Sequence, residues 1–239
     1  MITKRVALFS GHYGSGKTNI AVNCALRLRA EGKRVTIADL DIVNPYFRTK
    51  DSEEILKKHG IGLVCSAYAN TNLDIPALPK ELYTMLARRD GAVVMDIGGD
   101  DRGAVALGRY APMIREENDF DMFFVANFYR PLTRTPEDMI QIMREIEAAS
   151  GLPFTAIVNN SNLAGDTTAD TVLDTVEKTQ ILSGMTGLPV RATCVEAGLY
   201  DSLRDAVPDL FPMHLQEKYF DIVNGGNPDG KTDIQDRPV

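Results

Sequence analysis

Cysteine and histidine are scarce in this chain, with three residues of each type among 239. The cysteines lie far apart, each within an apolar run, and the sequence contains no C-x-x-C pair or Cys/His spacing typical of a metal site. This distribution argues against a disulfide-stapled scaffold and a zinc site, and it predicts buried, reduced thiols in a cytoplasmic protein. The residues concerned are Cys24, Cys65 and Cys194, together with His12, His59 and His214.

The chain also lacks long runs of positive charge and long apolar runs. Its net charge is −7, its pI is about 5.1, and basic residues occur as scattered pairs rather than as a stripe. We therefore expect no nucleic-acid partner, since such binding depends on many phosphate contacts. No apolar run reaches the roughly 18 residues that a membrane-spanning helix needs. Because the N-terminus leads directly into an apolar run, we expect neither a signal peptide nor a membrane partner.

The chain does contain a regular alternation of short apolar runs and helical patterns. The apolar runs predict strands over residues 6–9, 34–40, 61–67, 92–97, 121–127, 154–159 and 190–195. This alternation is typical of a parallel sheet covered on both faces, so we predict a three-layer α/β/α fold with a mostly parallel sheet. The length suits one domain over residues 1–223. Within it, residues 209–223 form an amphipathic segment expected to pack on the core, and residues 224–239 are expected to be a disordered tail.

The most specific motif follows the first predicted strand. Residues 11–18 read GHYGSGKT and fit G-x-x-x-x-G-K-[ST], the phosphate-binding loop called Walker A. A strand before the loop and a helix after it direct backbone N–H groups and a helix N-terminus toward phosphate. The motif predicts a nucleoside triphosphate and Mg²⁺, with Lys17 between the β- and γ-phosphates and the Thr18 hydroxyl on the metal. The predicted nucleotide contacts here are Gly11, His12, Tyr13, Gly14, Ser15, Gly16, Lys17, Thr18 and Asn19.

Acidic residues end two other predicted strands. Asp39 and Asp41 come at the end of the second strand, and their i, i+2 spacing directs both side chains the same way. Such a pair can reach a Mg²⁺-bound water and an attacking water. We therefore predict catalytic roles for both acids and for Lys17, and a metal role for Asp41. The fourth strand ends in Asp96, the Walker B pattern in which the acid holds Mg²⁺ or its water.

Glycine and asparagine residues follow further strand ends. Gly98 or Gly99 offers a backbone N–H to the γ-phosphate, and the glycine pair forms a hinge that responds when this phosphate leaves. The sixth strand ends in Asn159 and Asn160, whose amides present a donor and an acceptor, as contact with a purine edge requires. Turn formation is an alternative role for these asparagines, and for Asn127 after the fifth strand.

Four segments taken together resemble the CobQ/CobB/MinD/ParA-type family of P-loop nucleotide-binding domains: GHYGSGKT, DLDIVNP, MDIGGDD and the strand ending VNN. The resemblance covers roughly residues 4–200. It implies a protein that binds ATP and Mg²⁺, hydrolyses ATP slowly, and changes its conformation and partner affinity in doing so. It also implies that Asp41 orients the attacking water, that Asp96 supports Mg²⁺, and that the partner is a second copy or an unidentified protein.

Two departures from related families narrow this expectation. Family members carry a signature lysine that reaches the partner subunit, and His12 stands there in this chain. We therefore expect weak basal hydrolysis and no ATP-locked dimer that depends on His12. Nickel-insertion GTPases carry an N-K-x-D guanine motif, whereas residues 159–162 read NNSN, which favours ATP over GTP. Arg48, Arg102 and Arg130 follow strand ends and are candidates for supplying the missing charge.

Three alternative functions stay open on the sequence. The first is an ATP-dependent ligase or amidotransferase component similar to CobB or dethiobiotin synthetase, with a substrate pocket formed by Asp100, Arg102 and residues 70–79. The second is a nickel-insertion-type GTPase, and the third is a nucleotide-binding module without turnover. A partner surface would favour the switch, whereas a guanine-selective contact would favour the GTPase.

Overall fold

The computed structural model describes residues 1–41, 49–65, 80–99 and 101–215. Its strands are β1 (Val6–Ser10), β2 (Val35–Leu40), β3 (Gly62–Cys65), β4 (Ala92–Ile97), β5 (Phe120–Ala126), β6 (Ala156–Asn159), β7 (Val190–Glu196) and β8 (Leu210–Met213). In this part of the chain they form one eight-stranded sheet, in the order β3-β2-β4-β1-β5-β6-β7-β8. Each pair of neighbouring strands is parallel.

Helices cover both faces of this sheet. Within the described ranges they are α1 (Lys17–Ala30), α2 (Glu53–Lys58), α3 (Lys80–Arg88), α4 (Asp101–Gly108), α5 (Ala111–Glu117), α6 (Pro136–Ser150), α7 (Ala169–Thr186) and α8 (Tyr200–Leu203). α1 and α2 pack with Ala7 and Phe9 of β1, whereas α3 to α6 pack with Val6 and Leu8. Since successive strand residues point to opposite faces, β1 contributes to two cores, and all five of its residues are buried. None of the helices described is both long enough and apolar enough to cross a membrane. The predicted α/β/α fold is confirmed.

The position of β1 decides where the site lies. β1 lies between β4 and β5, and the chain builds the β4 side of the sheet first before crossing β1 to build the β5 side. Ligands of open parallel sheets bind at such a switch point, outside the carboxyl ends of the strands. The phosphate loop follows β1 directly, so the topology places it at this point.

The seven predicted strands are present, with ends that differ by up to two residues in the described ranges. The C-terminal segment begins with β8, a strand that the sequence does not predict, and the described part of this segment packs on the core as expected. Phe211 and Met213 are buried and Pro212 is exposed, which is the alternation of a strand, and a proline is tolerated at the edge of a sheet. Residues 216–239, which include the predicted tail, lie outside the described part of the chain.

Candidate nucleotide-binding site

The phosphate loop joins β1 to α1 as the sequence predicts. α1 begins at Lys17, and Gly16 precedes it with a left-handed backbone at φ 87°. A Cβ on Gly16 would overlap the Asn160 amide, and a Cβ on Gly11 would lie 2.6 Å from the Val125 carbonyl oxygen. Only glycine fits these two positions, because the loop passes close to the ends of β5 and β6. The loop therefore leads directly into the N-terminus of α1, whose N–H groups suit an anion.

Lys17 lies across the loop rather than in solvent. It is 6% exposed, and its Nζ donates a hydrogen bond to the His12 carbonyl oxygen at 3.1 Å. The turn after β4 approaches the same place: a Cβ on Gly99 would lie 2.8 Å from the Lys17 Nζ and 2.6 Å from the Tyr13 nitrogen. The ammonium and the Gly98–Gly99 turn thus meet at one side of the loop, where the sequence predicts the γ-phosphate.

Asp96 is a fully buried acid on the same side of the loop. Its Oδ2 accepts hydrogen bonds from the Thr18 hydroxyl at 2.7 Å and from the Thr49 hydroxyl at 3.0 Å. Burial raises the pKa of Asp96 to about 6. The two hydroxyl donors and the Lys17 ammonium oppose this rise, whereas the Asp41 carboxylate adds to it.

The second oxygen of Asp96 makes this place suitable for Mg²⁺. Oδ1 is buried and has no hydrogen-bond partner among the described residues. A buried oxygen without a partner is costly, and a hard cation with oxygen ligands relieves that cost. Thr18 and Asp96 would hold the ion, and phosphate oxygens and water would complete its coordination. Asp41, the third predicted ligand, is 8% exposed and lies near enough to influence the Asp96 pKa.

Asp39 and Asp41 form a hydrogen-bonded turn at the end of β2. The Asp41 backbone N–H donates to Oδ1 of Asp39 at 3.0 Å, and both residues are buried. In the sheet register Asp39 lies beside Asp96, so the three predicted acids come together at one edge of the sheet. The catalytic roles of the pair stay predictions.

The opposite side of the loop is held by donors from the segments after β5 and β6. Asn160 Nδ2 donates to the Ser15 carbonyl oxygen at 2.7 Å, and Arg130 Nε donates to the Gly14 carbonyl oxygen at 2.8 Å. Two consecutive loop carbonyls therefore accept hydrogen bonds from side chains. This arrangement fixes the path of the loop through residues that are more than a hundred positions away in sequence.

Asn159 holds the end of β6 together. Its Nδ2 donates to the Thr175 hydroxyl at 3.1 Å, and its Oδ1 accepts from the N–H and the hydroxyl of Ser161. Asn162 acts locally, donating to the Asn160 carbonyl oxygen at 2.7 Å. The purine contact predicted for Asn159 and Asn160 stays a prediction, and the hydrogen bonds described for their side chains lie within the protein.

The remaining predicted contacts lie on the outer part of the loop and on α1. His12 Nδ1 donates to the Tyr13 carbonyl oxygen at 3.0 Å, and Tyr13 is 58% exposed. Asn19 is half-buried in the first turn of α1, where its carbonyl oxygen accepts from Asn23 at 2.8 Å. Their nucleotide contacts stay predictions.

Thr49 is a site residue that the sequence motifs do not identify. It opens a 3-10 helix (Thr49–Ser52) directly before α2, is fully buried, and donates to Asp96. A threonine before a helix is an ordinary helix-start signal. The sequence signal that could identify Thr49 is its position between the acidic residues at the end of β2 and the start of α2.

Several predicted residues lie outside the described part of the chain. They are Arg48, Asp100 and residues 70–79, and the side chain of Arg102 is not described either. Of the three arginines that could supply charge, Arg130 is thus the one whose side chain the structure places, and it lies against the loop.

The family to which the chain belongs is consistent with this site geometry. Residues 6–168 match the family described as the CobQ/CobB/MinD/ParA nucleotide binding domain. The chain belongs to this family. The resemblance read from the four motifs is thereby confirmed, and membership of the CobQ/CobB/MinD/ParA family makes the fold that of a P-loop NTPase.

Solved structures with a similar fold include two FtsY proteins and a protein of the signal recognition particle. FtsY from Thermotoga maritima is 16% identical, with a TM-score of 0.52, over 81% of this chain and 62% of that one. FtsY from Mycoplasma mycoides is 15% identical, with a TM-score of 0.54, over 79% and 59%. The signal recognition particle 54 kDa protein of Aeropyrum pernix, in complex with GDP, is 17% identical, with a TM-score of 0.53, over 79% and 40%. These identities show the fold alone, and this chain spans about three fifths of the two FtsY chains. No curated protein matches the chain significantly.

Proposed function

We propose that this chain binds ATP with Mg²⁺, hydrolyses it slowly, and acts as a nucleotide-dependent switch. The observation that carries the proposal is the 2.7 Å hydrogen bond from the Thr18 hydroxyl to Asp96, beside an Asp96 oxygen that has no partner among the described residues. A hydroxyl at the start of this helix and an acid at a strand end hold Mg²⁺ in P-loop NTPases. Their contact supports a metal-dependent triphosphate site rather than a simple glycine-rich turn.

Binding uses groups that are already close to their working positions. Backbone N–H groups of the loop hold the phosphates, and Lys17 transfers its ammonium from the His12 carbonyl oxygen to the β- and γ-phosphate oxygens. Thr18 and Asp96 would hold Mg²⁺, whose positive charge would neutralise these phosphates. Lys17 therefore exchanges an internal acceptor for phosphate oxygens, whereas Thr18 and Asp96 would offer oxygen lone pairs to the metal.

Hydrolysis depends on the acids after β2. Asp41 orients the attacking water, and Asp39 fixes Asp41 by accepting its backbone N–H at 3.0 Å. The variant Asp41→Asn keeps the shape but weakens the acceptor, so we expect ATP binding within about threefold of normal and turnover lowered by about a hundredfold. Phosphate release at saturating ATP measures this, and an unchanged rate would contradict the role of Asp41.

Two segments beside the γ-phosphate position support the switch. The turn at Gly99 lies so close to Tyr13 that no side chain fits between them, so the turn and the loop respond together. Thr49 ties the segment before α2 to Asp96 through its hydroxyl. Loss of the γ-phosphate changes the surroundings of both segments, in the manner of nucleotide-gated switch loops. A second copy of the chain or another protein would read this change.

The slow rate follows from His12. Its Nδ1 donates to the Tyr13 carbonyl oxygen within the same loop, and imidazole is shorter than a lysine side chain, so it does not reach a partner subunit as lysine does. Cations delivered to the transition state by a partner raise the rate by about 10³–10⁵ in related systems. Without such a cation we expect weak basal hydrolysis.

ATP rather than GTP is the proposed nucleotide. A guanine site needs an acceptor for two donors, and the Asn162 amide instead donates to the Asn160 carbonyl oxygen and accepts from the Ala164 N–H. Leaving guanine donors unpaired costs about 1–3 kcal/mol each.

Three free cysteines, two of them buried, support the proposed cytoplasmic location.

Calorimetric titration with ATP, ADP and GTP, with and without Mg²⁺, tests the proposal. We expect Mg²⁺-dependent ATP binding that is tighter than GTP binding, together with slow phosphate release and a nucleotide-dependent change in mass in solution or in partner binding. The absence of nucleotide binding would contradict the proposed function. Tighter GTP binding would favour the GTPase alternative.

A further inference from the structure

Arg130 lies against the phosphate loop on the β5 side. Its Nε donates to the Gly14 carbonyl oxygen at 2.8 Å. A Cβ on Gly14 would lie 3.4 Å from Nε, 3.6 Å from Cζ and 3.7 Å from Cδ of Arg130. The guanidinium therefore rests on the loop itself, at a glycine that is exposed to solvent.

The turn that carries Arg130 is held by its own hydrogen bonds. Asn127 Oδ1 accepts from the Tyr129 N–H at 3.1 Å, and the Asn127 carbonyl oxygen accepts from the Thr133 hydroxyl at 2.6 Å. The Tyr129 hydroxyl donates to the Thr171 carbonyl oxygen of α7 at 2.9 Å. Arg130 is thus presented from a fixed support, which lowers the entropy lost when it binds a ligand.

The charge of Arg130 is not neutralised by an ion pair within the described part of the chain. Arginine is always charged, and its planar fork matches phosphate oxygens. The hydrogen bond to Gly14 uses Nε, and the two terminal nitrogens of the guanidinium are further donors at this loop. A half-buried cation on a phosphate loop fits a phosphate group.

The sheet order indicates which phosphate this is. Lys17 Nζ and the Gly99 turn mark the β4 side of the loop, where the metal and the γ-phosphate belong. Arg130 approaches from β5, on the other side of β1. It therefore faces the part of the nucleotide that ADP and ATP share.

We infer that Arg130 binds the α- or β-phosphate and sets the affinity for nucleoside diphosphate and triphosphate alike, without acting on the γ-phosphate. The inference rests on the proposed nucleotide binding. It assigns to Arg130 a contact that keeps the nucleotide bound, rather than the catalytic charge for which Arg130 was a candidate. Binding that is equal before and during reaction lowers the dissociation constant without raising the turnover number. Arg130 thus belongs to nucleotide binding and not to hydrolysis.

Calorimetry on the full chain with ADP, GDP and ATP tests this, using Arg130→Gln and the matched control Arg134→Gln. Arg134 is an exposed arginine in the same connection, so its loss changes the net charge equally. We expect Arg130→Gln to weaken ADP and ATP binding by the same factor, about ten- to a hundredfold. Turnover at saturating ATP and the melting temperature without nucleotide should match the control, and Arg130→Lys should recover part of the affinity.

Several results would overturn the inference. Equal affinities in the two glutamine variants would show that Arg130 does not contact the nucleotide. A loss confined to ATP, or a lower turnover number at saturation, would place Arg130 at the γ-phosphate. A lower melting temperature with unchanged affinity would make it a structural tie to Gly14. If the unaltered protein binds none of the three nucleotides, the proposed function itself fails and this inference fails with it.

Discussion

The two sides of the phosphate loop are built from opposite chemistry. On the β4 side lie a buried acid and two hydroxyls, Asp96 with Thr18 and Thr49. On the β5–β6 side the groups are donors, because the side chains of Asn160 and Arg130 both donate to loop carbonyls. The loop therefore lies between an acidic side, where we propose the metal, and a neutral-to-positive side whose side chains anchor the loop carbonyls.

This difference separates two tasks of the proposed nucleotide switch, which are to respond to the metal and the γ-phosphate and to hold the nucleotide in either state. Asp96 has a raised pKa and an oxygen without a described partner, so under the proposed function its interactions would change when Mg²⁺ and the γ-phosphate bind and leave. Under the same proposal, the side chains that hold the loop backbone would keep their partners in either state. We therefore expect changes on the β4 side to alter metal dependence, and changes on the β5–β6 side to alter ADP and ATP binding together. The sheet order produces this separation, since β1 lies between the two sides.

The largest expected effect comes from Lys17, which serves both states. Lys17→Ala removes the charge that neutralises the phosphates, so ATP and ADP binding should fall by more than about a hundredfold. The fold should persist, since Lys17 belongs to the phosphate loop and its Nζ hydrogen bond to the His12 carbonyl oxygen joins two residues of that same loop. Calorimetry measures the loss, with Lys33→Ala, a half-exposed lysine paired with Glu31, as the control. Undiminished affinity in Lys17→Ala would contradict the phosphate-loop assignment.

A change at Asp96 should act on the metal. Asp96→Asn keeps the acceptor for the Thr18 hydroxyl but removes the charge, so the Mg²⁺-dependent gain in ATP affinity should fall by about ten- to a hundredfold. ADP binding without Mg²⁺ should stay within about threefold. Titrations at several Mg²⁺ concentrations measure this contrast. An equal loss with and without metal would show that Asp96 supports the loop as a whole rather than the metal.

The same residue makes stability depend on pH. The pKa of Asp96 rises from 3.8 to about 6 on folding, because of its burial. Between these pH values the folded state holds a proton that the unfolded state releases, so this group lowers the free energy of unfolding as pH rises from about 4 to about 6. The loss amounts to up to about 3 kcal/mol. Urea unfolding of the nucleotide-free protein and of Asp96→Asn should show a stability difference that grows in favour of the variant over this range. A constant difference would contradict the raised pKa.

On the β5–β6 side of the loop, Asn160→Ala should weaken the binding of ADP and of ATP to the same extent. The Ser15 carbonyl oxygen then loses a buried donor, at a cost of about 1–3 kcal/mol. We expect ADP and ATP affinities to fall by about tenfold, with their dependence on Mg²⁺ unchanged. Asn162→Ala, which removes a hydrogen bond within the neighbouring turn, is the matched control. A changed Mg²⁺ dependence would show that the two sides of the loop are coupled.

Site residues that belong to compact motifs can be identified from the sequence, whereas contacts between segments that are distant in sequence cannot. Asp96 was identified because an apolar strand leads directly to it. The contact from Thr49 to Asp96 joins residues 47 positions apart, and nothing near Thr49 marks it as a site residue. The sequence predicts a purine contact for Asn160, which stays a prediction, and it does not reveal the donation from Asn160 to Ser15, 145 positions away. β8 was missed because a four-residue edge strand that contains a proline has little pattern to detect.

The smallest expected effect is at His12, on the outer part of the loop. Its described hydrogen bond goes to the neighbouring Tyr13, so His12→Ala should leave ATP affinity within about threefold and basal hydrolysis nearly unchanged. Light scattering with ATP and with ADP should give the same mass for this variant as for the unaltered chain. If the unaltered chain instead forms an ATP-dependent dimer that His12→Ala loses, the histidine performs the task of the signature lysine. The outer part of the loop would then face a second copy of the chain. The nucleotide site would in that case include residues of the partner subunit, in addition to the two sides of the loop described within one chain.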